Sequence, residues 1–373
     1  MSGLGGGPGI LPFNLSSISN QTNICNSTHC DQVDTSAHVF FMVVYCLMFL
    51  VGLFLNGFTL KVYFCRAQQQ ASSCVTYLKN LAAADFLISL CLPIRIINYA
   101  SSSVPVRQVY CNFGASAFYL NMYASILFMG FIAANRYLKI VHPLGTHILQ
   151  TVRTAQIISM VTWVFLLSMT ITYIILSVFT QETLASVPDT VSCDVLHSKQ
   201  VKLLYKVIHT CSAAIFLLVL VSLVFFYYST SRRLSLAQQK QPASSSSKKL
   251  AKSRRNMLVL VSVFCVCFVP YHLVRLPYAF LSSMHGAWSQ AFFYLKELTI
   301  MVSVLNVCLD PLIYFIFCKA FRAHLSLRRA FSTTQAATHG ENTETRSSDG
   351  RMNAAKINGE MTLGKMAKPS GML

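Results

Sequence analysis

The chain has 373 residues, 54% of them aliphatic, aromatic or sulfur-bearing and only 11% charged, with a formal net charge of +18. A soluble domain carries about 25% charged residues, so this composition excludes an ordinary soluble protein. It also excludes nucleic acid as the meaning of the charge: no basic soluble domain is present, and the excess sits in short segments between apolar runs and in the tail.

Residues 1–37 contain no Lys or Arg. They hold three N-glycosylation sequons, at Asn14, Asn20 and Asn26, which have meaning only on the luminal side of a membrane. No short apolar core with a small-residue cleavage site is visible, so the first apolar run is expected to act as the insertion signal. Seven such runs follow, at 38–64, 75–100, 108–134, 154–179, 203–228, 256–281 and 291–317. Each exceeds the roughly 20 residues a helix needs to cross hydrocarbon. Of the 30 Lys and Arg, seven (Arg95, Arg107, Lys199, Lys202, Lys206, Arg275 and Lys296) fall on one side of the resulting topology. The other 23 lie in or beside segments on the opposite side. Positive residues collect on the cytoplasmic face, which predicts an extracellular N-terminus and a cytoplasmic C-terminus at the plasma membrane.

Most of the 13 cysteines lie inside apolar runs, where Cys behaves as a small hydrophobe. Cys25, Cys30, Cys111 and Cys193 fall in the predicted extracellular parts, where disulfides persist. Four cysteines allow three pairings; Cys111 with Cys193 is the first choice, and Cys25 with Cys30 is what remains. The loop after the fifth run, 229–255, holds eight basic residues, no acid and a Ser run at 244–247. It reads as a solvated linker in its middle, with basic ends that extend the flanking helices.

After the seventh run, 318–330 predicts a short amphipathic helix. Phe321, Leu325 and Leu327 share a side, with basic residues between them, suited to an anionic leaflet. Cys318 is either a palmitoylation site or a free thiol. Residues 331–373 are polar and read as a disordered cytoplasmic tail with Ser332, Thr333, Thr334, Thr343, Thr345, Ser347 and Ser348 as phosphorylation candidates. The fold class is therefore all-α and membrane-embedded: a glycosylated tail (1–37), a seven-transmembrane helix bundle (38–317), an amphipathic surface helix and a tail.

Ionisable groups inside spans are costly and point to function. Asp85 lies mid-way along the second run and Asp310 in the seventh, with Asn56, Ser125 and Asn306 at similar depth. Two readings stand: a hydrogen-bonded polar core, or a sodium pocket at Asp85, since carboxylate, hydroxyl and amide oxygens suit a hard cation. His209, His272 and Cys211 show no metal-ligand spacing, which argues against an enzyme. No internal repeat is visible, which argues against a transporter.

The chain resembles the rhodopsin-like (class A) G-protein-coupled receptors over about 38–330. The matching residues are Asn56; Leu81 and Asp85; Cys111 and Asn135-Arg136-Tyr137; Trp163; Phe268-Val269-Pro270; and Asp310-Pro311-Leu312-Ile313-Tyr314. Asn135 stands where the family has an acid, Phe268 where it has tryptophan and Asp310 where it has asparagine; the fifth run lacks a proline. The last three departures, with Tyr77-Leu78-Lys79-Asn80, Phe118 to Tyr123, Cys267 to Tyr278 and Tyr294-Leu295-Lys296-Glu297, resemble the purinergic-type branch. Within it, the ADP and UDP-sugar receptor cluster and the lysophosphatidylserine receptor are similar.

The resemblance implies a non-enzymatic receptor coupled to a heterotrimeric, inhibitory-type G protein, with a receptor kinase and arrestin acting on the tail. Arg136, Tyr137, Tyr227, Phe268, Pro270, Pro311 and Tyr314 would carry activation. Without a carboxylate at Asn135, Arg136 would be less restrained and basal activity raised. Arg275, on the inward side by resemblance, His272 one turn below it and Lys296 would receive a phosphate-bearing ligand, with Lys199 and Lys202 nearby. Guanidinium pairs with phosphate oxygens and ammonium acts as a point charge. The alternative is that the cations snorkel, or that Lys296 pairs with Glu297. Tyr119 and Tyr123, at i and i+4, share a face to stack on a base, line an acyl channel or pack between helices.

The nucleotide receptors carry Pro-Asn in the fourth run and His and Asn early in the fifth. Here Ile171-Thr172-Tyr173-Ile174 and Leu204 and Ile208 are read at those places, and the loop near 282–290 lacks a cysteine. The ligand classes are thus a nucleotide or nucleotide sugar, and alternatively a lysophospholipid.

Overall fold

The computed structural model describes residues 35–66, 72–101, 103–142, 147–180, 193, 198–240, 245–281 and 287–317. The sequons, Cys25, Cys30, the 318–330 helix, Cys318 and the tail lie outside these. In chain order the helices are α1 (Thr35–Arg66), α2 (Ser73–Ala100), α3 (Val104–Val109), α4 (Ala115–Val141), α5 (Val152–Phe179), α6 (Lys199–Lys240), α7 (Ser245–Leu281), α8 (Ala287–Val304) and α9 (Asn306–Phe317). A π turn at Tyr110–Gly114 joins α3 to α4. Among the described residues seven continuous helical segments are long and apolar enough to cross a membrane: α1, α2, α3–α4, α5, α6, α7 and α8–α9.

The outer surface of the bundle is apolar, and its interior sets a few polar residues among apolar and aromatic ones. Phe54, Phe64, Met160, Leu218 and Leu273 are exposed, whereas Asn56, Asp85, Ser125, Asn306 and Asp310 are fully buried. Lipid removes the hydrophobic drive between helices, so packing and interhelical hydrogen bonds hold them together. Trp163 Nε1 in α5 donates to Asn80 Oδ1 in α2 at 2.9 Å. Asn56 Nδ2 in α1 donates to the Val307 carbonyl in α9 at 2.9 Å and to Gly52 at 3.1 Å. Gly52 lets α1 approach closely: a Cβ there would lie 2.4 Å from Val307 Cγ1 and 2.7 Å from Ser89 Oγ.

Two boundaries depart from expectation. The linker read over 229–255 is helical on both sides of 241–244, which lie outside the described residues. Ser has middling helix propensity, and extending a helix costs far less than nucleating one, so Ser245–Ser247 form the first residues of α7. α6 has 42 residues. At about 1.5 Å per residue it is roughly twice as long as a 30 Å hydrocarbon core, so its basic end projects beyond the core as expected. The seventh span is broken at Leu305, between α8 and α9, where Cys308 N–H bonds the Leu305 carbonyl three residues back.

Candidate ligand site and activation centre

Cys111, in the π turn, is disulfide-bonded to Cys193. At this disulfide end of the bundle α2, α4, α6, α7 and α8 bring together the site. Arg275 of α7 is buried, and its Nε–H donates to His209 Nε2 of α6 at 3.2 Å. Its guanidinium also lies over the rings of Tyr119, Tyr205 and Tyr278, 5.3–5.8 Å from their centroids. His209 Nδ1–H donates to the Tyr205 carbonyl, four residues back, at 2.9 Å. The ring is therefore neutral with a free pair on Nε2, the form that can accept from arginine.

One turn below Arg275, His272 repeats the arrangement. Its Nδ1–H donates to the Phe268 carbonyl at 2.8 Å, and Nε2 accepts from the Tyr123 hydroxyl at 3.4 Å. Its ring stacks on Phe216 with centroids 3.8 Å apart. Tyr119 and Tyr123 thus face the site together, as their spacing predicted, Tyr119 meeting Arg275 and Tyr123 meeting His272.

Lys296 of α8 is buried, with Nζ 3.1 Å from Glu297 Oε1 and 4.7 Å from the centroid of Tyr278, the ring that Arg275 also covers. Lys296 thus pairs with Glu297, as the alternative reading had it, while lying over a ring that Arg275 also covers. Glu297 Oε2 accepts from Arg95 of α2 at 2.6 Å and from the Tyr99 hydroxyl. Arg95 also donates to the Tyr110 hydroxyl at 2.8 Å and is enclosed by the rings of Tyr45, Tyr99, Tyr110 and Phe118. Lys199 and Lys202 stand at exposed positions of α6, outside this buried cluster.

The sequence reading left Glu297, Arg95, Tyr205 and His209 out of the site. Glu297 had a signal: it is one of three acids within the seven runs, and a membrane acid needs a partner. For α6, Leu204 and Ile208 were read at the places where nucleotide receptors carry His and Asn. The structure turns Tyr205 and His209 inward instead, one residue along. Without a proline to fix rotation, and with Lys199, Lys202 and Lys206 all exposed at its start, this helix does not announce its facing side.

Deeper in the bundle, Asp85 Oδ1 accepts from Ser125 Oγ at 3.0 Å and Asn306 Nδ2 at 3.2 Å, and Oδ2 accepts from the Tyr314 hydroxyl at 2.6 Å. Asp310 is fully buried, and among the described residues neither of its oxygens accepts a hydrogen bond. Two carboxylates interacting in a low-dielectric core repel unless a cation or a proton lies between them. Asp85, Asp310, Ser125 and Asn306 form a donor set that fits a hard cation. Asn56, expected here, instead ties α1 to α9 through Val307.

The family model described as 7 transmembrane receptor (rhodopsin family) matches residues 55–314. The chain belongs to this family. It is 33% identical over 318 residues to purinoceptor 14 of Bos taurus, covering 82% of this chain and 92% of that protein. It is 31% identical over 320 residues to G-protein coupled receptor 87 of Mus musculus, covering 85% of each. It is 30% identical over 318 residues to purinoceptor 13 of Rattus norvegicus, covering 84% and 91%. These relatives place it in the purinergic-like cluster of class A G-protein-coupled receptors, which couple to heterotrimeric G proteins and are not enzymes.

At the opposite end of the receptor bundle, Arg136 donates to the Phe317 carbonyl of α9 at 3.1 Å and lies over the Phe317 ring at 4.7 Å. Asn135 Nδ2 donates to Ser73 Oγ of α2 at 2.8 Å. The residue in the acid's place thus ties α4 to α2, and α9 holds the arginine. Tyr137 stacks on Phe226 with centroids 4.9 Å apart. Tyr227 is half-buried on α6, while the Tyr314 hydroxyl is engaged by Asp85. Phe268 is fully buried against Phe264. Pro270 and Pro277 lie within α7 and Pro311 within α9. Pro270 leaves the Val266 carbonyl without its helical donor, a natural bend point.

Proposed function

We propose that the receptor responds to an extracellular phosphate-bearing agonist, a nucleotide or nucleotide sugar, bound at the disulfide end, which faces outside with the N-terminus. The observation that carries this reading is the convergence of Arg275 and Lys296, buried cations from different spans, on the ring of Tyr278. Guanidinium and ammonium from two spans, buried side by side in a partly desolvated site, suit a ligand with paired anionic oxygens. The rings of Tyr119 and Tyr205 beside Arg275 suit a flat base next to the anion. Two relatives are purinoceptors by name, which supports the nucleotide class.

The agonist bridges α7 and α8 and binds tighter to the arrangement in which the two close around it, which shifts the population. α7 bends at Pro270, its far end moves away from α4, and Arg136 leaves the Phe317 carbonyl to receive an inhibitory-type G protein. Asp85, Asp310, Ser125 and Asn306 would hold a sodium ion, whose positive charge would offset the two buried carboxylates and favour the resting arrangement. A receptor kinase and arrestin act afterwards on the tail. Membrane lipids surround the exposed apolar faces.

The test is a G-protein dissociation assay with ADP, UDP, UDP-glucose and lysophosphatidylserine on the wild type, Arg275→Ala and Lys296→Ala. A nucleotide response is expected, with potency about tenfold or more lower in each variant. Potency unchanged in both variants overturns the anion site. A response confined to lysophosphatidylserine assigns the lipid class instead.

A further inference from the structure

Resting on that reading, we propose that Glu297 is an internal counter-ion. Its carboxylate holds Lys296 in the unliganded receptor, and the ligand's anion takes Lys296 over while Arg95 keeps Glu297. The two halves of the Arg95–Glu297–Lys296 triad are built differently. Arg95 reaches Glu297 at 2.6 Å, Lys296 at 3.1 Å. The Arg95 side chain is 4% exposed and caged by four aromatic rings, whereas that of Lys296 is 11% exposed. Tyr99 adds a second donor to the oxygen that Arg95 holds, so Oε2 is the fixed side and Oε1 the side that meets lysine.

The chain position points the same way. Lys296 and Glu297 are adjacent on α8, and neighbouring residues on a helix point about 100° apart rather than at each other. Their contact is made by a long flexible side chain swinging across. The same side chain lies over Tyr278, the ring shared with Arg275. From there an anion bound at Arg275 lies in its range. A carboxylate and a ligand phosphate then compete for one ammonium, and Glu297 sets a threshold that a weakly charged anion does not cross. Glu297 thereby acts on affinity through Lys296 without itself touching the ligand.

The experiment uses the full-length receptor, purified in detergent, with thermal stability and binding titrated against inorganic pyrophosphate, ADP and UDP-glucose. Glu297→Gln keeps shape and removes the charge; it is expected to tighten binding of the active probe about tenfold, and Lys296→Ala to abolish that gain. Should Glu297→Gln fail to fold with Arg95 unpaired, the double variant Arg95→Gln/Glu297→Gln removes both charges and is expected to shift affinity in the same direction. Unchanged or weaker binding in the variant that folds overturns the counter-ion, since a ligand-touching or merely structural Glu297 loses affinity when neutralised. A wild type that responds to no probe, with Lys296→Ala equally silent, overturns the phosphate reading and this inference with it. A wild type that responds, loses affinity in Lys296→Ala and gains none in Glu297→Gln overturns this inference alone.

Discussion

His209 and His272 are used alike: each gives Nδ1–H to the carbonyl four residues back and turns Nε2 toward the site. Only His209 meets a cation there, so its lone pair fixes the direction of the Arg275 guanidinium. His209→Phe keeps a ring against Tyr119 and Tyr205 but removes the acceptor. Agonist potency is expected to fall about threefold to tenfold, with surface expression retained, as read by dose-response curves. Arg275→Lys loses the planar fork and is expected to cost more than His209→Phe in the same assay. Asn135 raises a separate matter, because the structure gives Arg136 a partner at Phe317 even without a neighbouring acid. Asn135→Asp adds a carboxylate beside that arginine, and ligand-free signalling is expected to drop; an unchanged basal level would show that Phe317 already suffices as the restraint.

Helix contacts are set by small residues and by buried polar ties. A methyl at Gly52 meets Val307, whose β-branched side chain has little freedom to move aside. Gly52→Ala is expected to destabilise the receptor by about 1–3 kcal/mol, seen as a lower melting temperature of the purified protein. At Gly130 the nearest atom to an added Cβ is Val219 Cγ1 at 3.1 Å, so Gly130→Ala is expected to lower the melting point less. The cluster around Asp85 and Asp310 has its own measurement. Sodium is expected to weaken agonist binding to the wild type and to have no effect on Asp85→Asn, in binding curves with sodium exchanged for a large organic cation. The element boundaries were legible where apolar composition changes abruptly, as at Ala100 and Phe179. They were not legible at the α6–α7 hairpin, because a helix anchored in the membrane carries polar residues that would not start one alone.

At the scale of the molecule, the Cys111–Cys193 disulfide ties together two positions 82 residues apart in sequence. Cys111→Ser is expected to cost about 2–5 kcal/mol of stability and to reduce surface expression, measured by thermal unfolding and cell-surface labelling. Seven spans, their order and the family were legible because crossing a hydrocarbon slab is a local requirement that each segment meets by itself. The residue types of the site were also legible: Arg275, Lys296, His272, Tyr119 and Tyr123 all meet at one end. What the sequence left open was partnership. Lys296 with Glu297, Glu297 with Arg95, Arg275 with His209, Arg136 with Phe317 and Asp85 with Tyr314 are decided by the rotation and depth of helices far apart in the chain. Those follow from packing around Gly52 and the interhelical hydrogen bonds, so only the assembled bundle determines which charge answers which.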